Sequence, residues 1–250
     1  MTDQAFEPDL GAFVQEKAGT APGTRLAIVR HGEAVCNVED FIGGHEGCRG
    51  LTKRGVRQAE ALAERLRRTG ELAGAAALWT SVLPRAVETA EIIAPSLRDL
   101  PVQRSCGLCE RHPGEADGLT WAEYERRYLR ISLPGDDPEL PLSPGGESWI
   151  DFVDRASASL AALAADHPGQ LLVVVAHGGV IDASVIRFLG LPDHGENVRL
   201  HPDHTSITEW EHTGTRWRFA RYNDAAHLGG PEVEELRSPA PGWVGRDQPD

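Results

Sequence analysis

The chain has 250 residues, with 25 basic and 38 acidic side chains that give a formal net charge of −13. This excess of acid excludes a dedicated nucleic-acid binder and a binder of anionic membranes, because both classes meet phosphate charge with a basic surface. With 40% hydrophobic residues, 25% charged residues and no apolar run near the ~18 residues of a membrane span, the composition predicts a globular chain whose length fits one α/β domain.

The two ends of the chain are expected to lie outside this domain. Residues 1–23 lack apolar periodicity and end in Ala-Pro-Gly, so they predict an N-terminal extension. They also lack the basic start and apolar stretch of a secretory signal, which favours a cytoplasmic protein. Residues 228–250 are rich in Pro, Gly and Glu and predict a C-terminal tail, which leaves residues 24–227 as the domain.

The first half of the domain alternates predicted strands and helices. The pattern indicates a strand over residues 25–29, a polar loop over 30–50, a helix over 52–68, a strand over 75–81 and a helix over 84–95. Thr52 is placed to cap the first of these helices and Gly70 to end it, while Pro84 stands where a first-turn proline belongs.

The second half begins with an excursion from the core. Residues 106–146 are rich in Gly, Pro and acids, and we expect a lid over about 111–146 with a short helix near 121–130. The elements that follow are a helix over 147–166, a strand over 171–176, a helix over 179–189 and two antiparallel strands over 205–210 and 217–222. The whole pattern predicts a three-layer α/β/α sandwich with a mostly parallel central sheet and a lid excursion.

Anion-binding groups follow three of the predicted strands, where α/β sheets bind ligands. These groups are Arg30 and His31, then Arg85, and then His177 and Gly178. If the three strands are parallel neighbours, two imidazoles, two guanidiniums and two helix N-termini meet at one edge of the sheet. Guanidiniums and helix N-termini both bind phosphate oxygens, and Asn37 is placed to add an amide donor. The sequence therefore predicts a phosphate site.

The motifs around these residues resemble the histidine phosphatase superfamily, which includes the cofactor-dependent phosphoglycerate mutases. The resemblance covers about residues 25–227 and rests on Val29-Arg30-His31-Gly32-Glu33, Ser81-x-Leu83-x-Arg85-Ala86, Leu108-x-Glu110, Pro144-Gly145-Gly146-Glu147-Ser148 and Val175-Ala176-His177-Gly178-Gly179. It implies that His31 attacks phosphorus and becomes a phosphohistidine, and that Glu110 protonates the leaving oxygen and then activates water.

The resemblance also implies how the phosphate is held, with no metal and no cofactor. Arg30, Arg85 and His177 would bind the phosphate oxygens with help from Asn37 and the Gly178 backbone. Gly43 and Gly44 fall where mutase relatives use Thr-Gly to contact the substrate, so the threonine hydroxyl contact is absent here.

Three functions remain open at this stage. Only 36 residues separate Glu110 from Glu147, and Arg126-Arg127 lies nearer the acid than the arginine pair that grips a bisphosphate in mutases. Residues 110–154 also carry 11 acidic and four basic side chains, so we favour a phosphomonoester hydrolase acting on a small phosphorylated metabolite. The alternatives are a mutase-like phosphotransferase, which the Glu-Arg-His at 110–112 resembles, and a non-catalytic phosphate-binding or regulatory module of the same fold. Homo-oligomerisation is left open.

Several other groups have more ordinary interpretations. Glu115 and Asp117 lie in the same loop as Glu110 and compete with it for the role of acid. Cys106-x-x-Cys109 invites a redox or zinc interpretation, but no second cysteine pair accompanies it, which favours incidental thiols. His201-x-x-His204 is interpreted as a pair of loop residues, so no metal site is predicted.

Overall fold

The structure is a computed structural model that describes residues 22–128, 137–192, 200–229 and 234–236. Most of the expected N-terminal extension, residues 129–136 of the expected lid and most of the expected tail lie outside the described residues.

Strands and helices alternate through the described part of the chain. They are β1 (Thr24–Arg30), α1 (Val35–Val38), α2 (Lys53–Thr69), β2 (Ala75–Thr80), α3 (Pro84–Ile93), β3 (Val102–Arg104), α4 (Trp121–Tyr128), α5 (Trp149–Asp166), β4 (Leu171–Ala176), α6 (Gly178–Phe188), β5 (Ile207–His212) and β6 (Trp217–Asp224). A short 3₁₀ turn, Cys106–Leu108, follows β3.

The helix ends have identifiable local causes. The Thr52 hydroxyl accepts the Gly55 N–H and starts α2, and Gly70 ends that helix with a left-handed φ of 65°. Helix α5 begins two residues later than expected, because the Ser148 hydroxyl accepts the Asp151 N–H at 3.0 Å and caps the helix there. The expected strand at 205–210 also begins later, since Thr205 has a left-handed φ of 59° and lies in a turn.

The six strands form one sheet in the order β3-β2-β4-β1-β5-β6. Strands β3, β2, β4 and β1 are parallel, whereas β5 and β6 are antiparallel additions at the other edge. The predicted sandwich with a mostly parallel sheet is therefore confirmed. The three strands that precede the anion-binding groups are direct neighbours, which satisfies the condition for those groups to meet.

Alternate residues of the central strands pack against helices on opposite faces. In β1 and β4, Leu26, Ile28, Leu172 and Val174 lie in one core cluster with Phe152 of α5 and Ile181 of α6. The intervening residues Ala27, Val29, Val173 and Val175 lie in a second cluster with Leu62 of α2 and Ala90 of α3. Burial on both faces explains why these strands are continuous apolar runs, and it fixes the strand ends that carry the polar groups.

The described part of the excursion packs against the loop that follows α1. Tyr124 of α4 is buried in a small cluster with Ile42, Ala116 and Leu142, and its hydroxyl donates to the Leu142 carbonyl at 2.9 Å. Within the described ranges, no helix is both long and apolar enough to cross a lipid bilayer.

Candidate active site

The carboxyl ends of β1, β2 and β4 bring together four basic side chains, which we call the basic cradle. They are Arg30 and His31 after β1, Arg85 in the first turn of α3, and His177 at the N-cap of α6. The His31 ring lies 5.1 Å from the His177 ring between centroids, and Arg85 Nε lies 3.1 Å from His31 Nε2. The predicted convergence is confirmed.

The hydrogen bonds of His31 fix which nitrogen carries a lone pair. His31 Nδ1 donates to the Gly32 carbonyl at 2.6 Å, so Nε2 is the acceptor and receives the Arg85 Nε–H. Burial lowers the pKa of His31 well below its ordinary value of 6.5, and the positive charge of Arg85 lowers that pKa further. His31 is therefore a neutral imidazole whose Nε2 lone pair faces the cradle.

The backbone beside His31 is anchored to two helices. The Gly32 N–H donates to the Thr89 hydroxyl of α3 at 3.0 Å. A Cβ added at Gly32 would lie 2.5 Å from the Gly55 carbonyl oxygen of α2, so only glycine allows this close approach. The turn that carries the imidazole is thus held at both sides.

His177 and Arg30 each present an unpaired donor to the cradle. Ser81 Oγ accepts the Leu83 N–H and lies 2.7 Å from His177 Nε2. We assign Ser81 as the donor in the second contact, which places the proton of His177 on Nδ1. His177 Nδ1 and Arg30 Nε are buried without a hydrogen-bond partner among the described residues. A buried unpaired donor costs about 1–3 kcal/mol, so these donors have the chemistry of a site for an oxygen-rich anion.

Glu110 is held at the rim of the cradle by the start of α6. One carboxylate oxygen accepts the Gly179 N–H and the other accepts the Arg111 N–H, each at 3.1 Å. A Cβ at Gly179 would lie 2.2 Å from Glu110 Oε1. A residue with a side chain at position 179 would therefore displace the Glu110 carboxylate.

The two rival acids have other contacts. Asp117 accepts the N–H groups of Gly44, Glu46 and Gly47 at 2.8–2.9 Å and so anchors that loop. Glu115 accepts the Tyr128 hydroxyl at 3.3 Å. These contacts favour Glu110 as the acid beside the cradle.

The predicted glycine contacts lie close to the cradle. The Gly43 carbonyl accepts Arg85 Nη1 at 2.7 Å, whereas the Gly44 N–H is used by Asp117. A Cβ at Gly43 would lie 2.7 Å from Cys36 Sγ, and one at Gly178 would lie 3.7 Å from Arg30 Nε. Gly43 therefore orients a guanidinium, and direct contact of Gly43, Gly44 and Gly178 with substrate stays a prediction.

His204 joins the site although sequence reasoning treated it as a loop residue. Its buried ring lies 5.7 Å from the His31 ring, and its Nε2 lies 3.3 Å from the Oδ1 of Asn37. Asn37 Oδ1 also accepts the Ala34 N–H at 3.0 Å. The signal is topological: β5 runs antiparallel to β1, so the residues that precede β5 lie beside the residues that follow β1.

Comparisons with known proteins agree with this geometry. The family profile described as histidine phosphatase superfamily (branch 1) matches residues 26–225. Phosphoglycerate mutase-like protein 4 of Arabidopsis thaliana is 33% identical, over 81% of this chain and 86% of that protein. The metal-independent phosphoserine phosphatase of the same plant is 32% identical, over 82% and 83%. Among solved structures, Bacillus stearothermophilus YhfR has a TM-score of 0.69 at 30% identity, covering 82% of this chain and 99% of that one.

Proposed function

Because the chain belongs to the histidine phosphatase superfamily, branch 1, we propose that it is a phosphomonoester hydrolase that works through a phosphohistidine on His31. The observation that carries this proposal is the environment of His31 Nε2, a neutral nitrogen lone pair enclosed by two guanidiniums and a second imidazole. A neutral nitrogen lone pair can attack phosphorus, and the surrounding positive charge can stabilise the negatively charged oxygens bound to that phosphorus.

The first step transfers the phosphoryl group to His31. The Arg85 Nε–H passes from His31 Nε2 to a phosphate oxygen, and the Nε2 lone pair freed in this way attacks phosphorus in line. The new N–P bond forms and the bond to the ester oxygen breaks. Arg30, Arg85 and His177 donate hydrogen bonds to the oxygens that stay on phosphorus. Glu110, entering the step protonated, gives its proton to the leaving oxygen, so the product departs as a neutral alcohol.

The second step returns the enzyme to its starting state. Glu110, now a carboxylate, takes a proton from water while the water oxygen attacks phosphorus. The N–P bond breaks, its electron pair returns to Nε2, and inorganic phosphate leaves. Side chains supply all the hydrogen bonds and charges that stabilise the phosphoryl oxygens in these two steps. Neither step therefore uses a metal ion.

The described part of the excursion favours water over a second substrate as the acceptor. Arg126 and Arg127 are exposed on α4, and Tyr124, which faces the protein interior, is used for packing. The segment around them is strongly acidic. A bisphosphate held for transfer would need basic groups there, and for the same reason we propose a small substrate with a single phosphate group.

Two assays distinguish the proposed hydrolase from a phosphotransferase and from a non-catalytic binding module. Purified protein is tested for phosphate release from p-nitrophenyl phosphate and from a panel of phosphorylated metabolites, and for interconversion of 3- and 2-phosphoglycerate. We expect phosphate release that His31→Ala abolishes and His212→Ala preserves. Efficient bisphosphoglycerate-dependent isomerisation would favour the mutase, and an inactive wild type would favour the binding module.

A further inference from the structure

A second cluster of reactive side chains lies beside the Glu110 loop and takes no part in the chemistry above. It consists of His45, Cys106, Cys109 and His112, and we call it the Cys-His cluster. Their nearest ligand atoms all lie within 4.8 Å of one another. Cys106 Sγ lies 3.4 Å from His45 Nε2 and 3.3 Å from His112 Nε2, and Cys109 Sγ lies 3.9 Å from His45 Nε2.

We infer that the Cys-His cluster is a structural zinc site. Two thiolates and two imidazoles are a donor set typical of tetrahedral zinc. Bond lengths of roughly 2.3 Å to sulfur and 2.0–2.1 Å to nitrogen place tetrahedral S and N ligands about 3.6 Å apart. The observed sulfur-to-nitrogen distances of 3.3, 3.4 and 3.9 Å lie on both sides of that value.

The groups behind His112 have the arrangement that supports a zinc ligand. His112 turns Nε2 toward the cluster and Nδ1 toward Glu147 Oε2, which lies 3.5 Å away. Glu147 in turn accepts the His112 N–H at 2.8 Å and pairs with Arg155 at 2.6 Å. A carboxylate close to the far nitrogen favours the tautomer in which Nε2 of a ligating histidine is free to bind a metal.

The backbone of the cysteine segment is held in place independently. Arg155 Nη1 donates to the carbonyls of Cys106, Gly107 and Cys109 at 3.1–3.2 Å. Cys109 is buried, while His45 is exposed and gives solvent a route to the cluster. The site therefore combines a fixed pair of sulfurs with a ligand at the surface, as an entry path requires.

The interpretation of Cys106 and Cys109 as incidental thiols rested on the absence of a second cysteine pair to complete a four-ligand site. His112 extends the pair to Cys-x-x-Cys-x-x-His, and His45 arrives from 61 residues upstream of Cys106. Asp117 brings it there, because its carboxylate binds the N–H groups on either side of His45. The fourth ligand is visible only in the folded chain.

The metal would not touch the substrate. It would affect catalysis by fixing the positions of Glu110 and Arg85. Glu110 lies between two ligands in sequence, and His45 lies two residues after Gly43, whose carbonyl holds Arg85. One ion would thus link the loop of the acid to the loop of the phosphate-binding arginine. Four protein ligands leave no open position for water, which distinguishes this site from a catalytic one.

The first test measures metal and needs no activity. Full-length protein is equilibrated with one equivalent of Zn²⁺, passed through gel filtration and analysed for metal, and a second sample is loaded with Co²⁺. We expect one Zn²⁺ per chain, and with Co²⁺ the visible bands of a tetrahedral ion together with thiolate-to-metal charge transfer. His45→Ala, a change at an exposed position, and Cys106→Ser should lose both, whereas Cys36→Ser, a buried thiol outside the cluster, should keep both.

The second test separates this site from the proposed function. His31→Ala should bind a full equivalent of Zn²⁺ and turn over nothing. His45→Ala should still phosphorylate His31 but with kcat reduced about tenfold and KM within about twofold, because the acid loop is less well placed. A wild type that retains no Zn²⁺ after gel filtration, or a Cys36→Ser variant that loses metal as fully as Cys106→Ser, would overturn the inference.

Discussion

Arg85 Nε donates a hydrogen bond to His31 Nε2 at 3.1 Å, so the guanidinium contacts the nitrogen that we propose as the nucleophile. The same guanidinium donates through Nη1 to the Gly43 carbonyl at 2.7 Å. Arg85 is thereby fixed at two points, which holds its guanidinium beside the His31 lone pair, where we propose that a phosphate oxygen binds.

Replacing Arg85 by lysine keeps the charge and removes the fork. Lysine lacks the planar fork that places Nε and Nη1 on these two acceptors, so we expect kcat/KM for p-nitrophenyl phosphate to fall about 10²–10³-fold. Arg67→Lys, an exposed pair partner of Glu64 on α2, is the control and should change kcat/KM by less than twofold. Activity of Arg85→Lys within about threefold of wild type would show that the double contact is dispensable.

Gly179→Ala tests whether the start of α6 positions the Glu110 carboxylate for catalysis. The new Cβ would lie 2.2 Å from Glu110 Oε1 and 2.9 Å from the Phe152 ring, so the carboxylate must move and the ring must shift slightly. We expect steady-state kcat to fall about 10²-fold, since Glu110 is needed to activate water, while the initial burst of p-nitrophenol, a leaving group that needs no proton, persists. The control is Gly74→Ala, whose Cβ would have no neighbour within 4 Å and which lies outside the site. Equal losses in both variants would contradict the assignment of Glu110.

The low pKa of His31 makes a prediction about proton uptake. Its folded-state pKa lies well below 6.5 because the ring is buried beside Arg85, so the ring should stay neutral as the pH falls from about 8 to 6. The unfolded chain takes up this proton first, so the group destabilises the folded state as the pH falls below about 6.5. NMR of the His31 Cε1–H, assigned with His31→Gln, should show no titration in that interval. A midpoint near 6.5 in the folded protein would contradict a pKa lowered by burial and by Arg85.

The ion pair between Arg65 of α2 and Asp224 at the end of β6 predicts how stability depends on pH. Arg65 Nη2 donates to Asp224 Oδ2 at 2.6 Å, and this hydrogen bond holds the pKa of Asp224 far below its ordinary value of 3.8. Because the folded pKa is the lower one, the stabilisation is complete above about pH 4 and is lost as the pH falls through the folded pKa.

Asp224→Asn should therefore lower the free energy of unfolding at pH 7 by about 1–2 kcal/mol, allowing for screening at a partly exposed site. Urea unfolding measures the difference, which should shrink at acidic pH. Glu235→Gln removes the exposed pair with Arg57 and should cost about 0–0.5 kcal/mol. A difference for Asp224→Asn that stays constant down to pH 2 would contradict the proposed linkage.

The central strands were predictable because their signal is local. A strand buried on both faces is a continuous apolar run, and the predicted limits of β4 match the structure. Strand β3 was missed, since its three residues, Val102–Arg104, are partly or fully exposed, carry no periodicity and gain their structure by pairing with β2.

The site residues also differ in whether local sequence patterns could predict their positions. Arg30, His31, Arg85 and His177 follow strands or start helices, so the order of elements alone brings them together. His204 and His45 reach their positions through antiparallel pairing and through a loop held by Asp117, contacts that link distant parts of the chain. Local pattern therefore located the cradle and missed its neighbours.

The most direct test of the proposed chemistry is to find the phosphoryl group on His31. Wild-type enzyme mixed with phosphorylated substrate is quenched in base, where phosphohistidine survives, and digested for mass spectrometry. We expect one added phosphoryl group on the peptide that carries His31, lost on brief acid treatment and absent from His31→Ala. An active wild type with no such adduct at any quench time, or with the adduct on His177 or His204, would contradict His31 as the nucleophile.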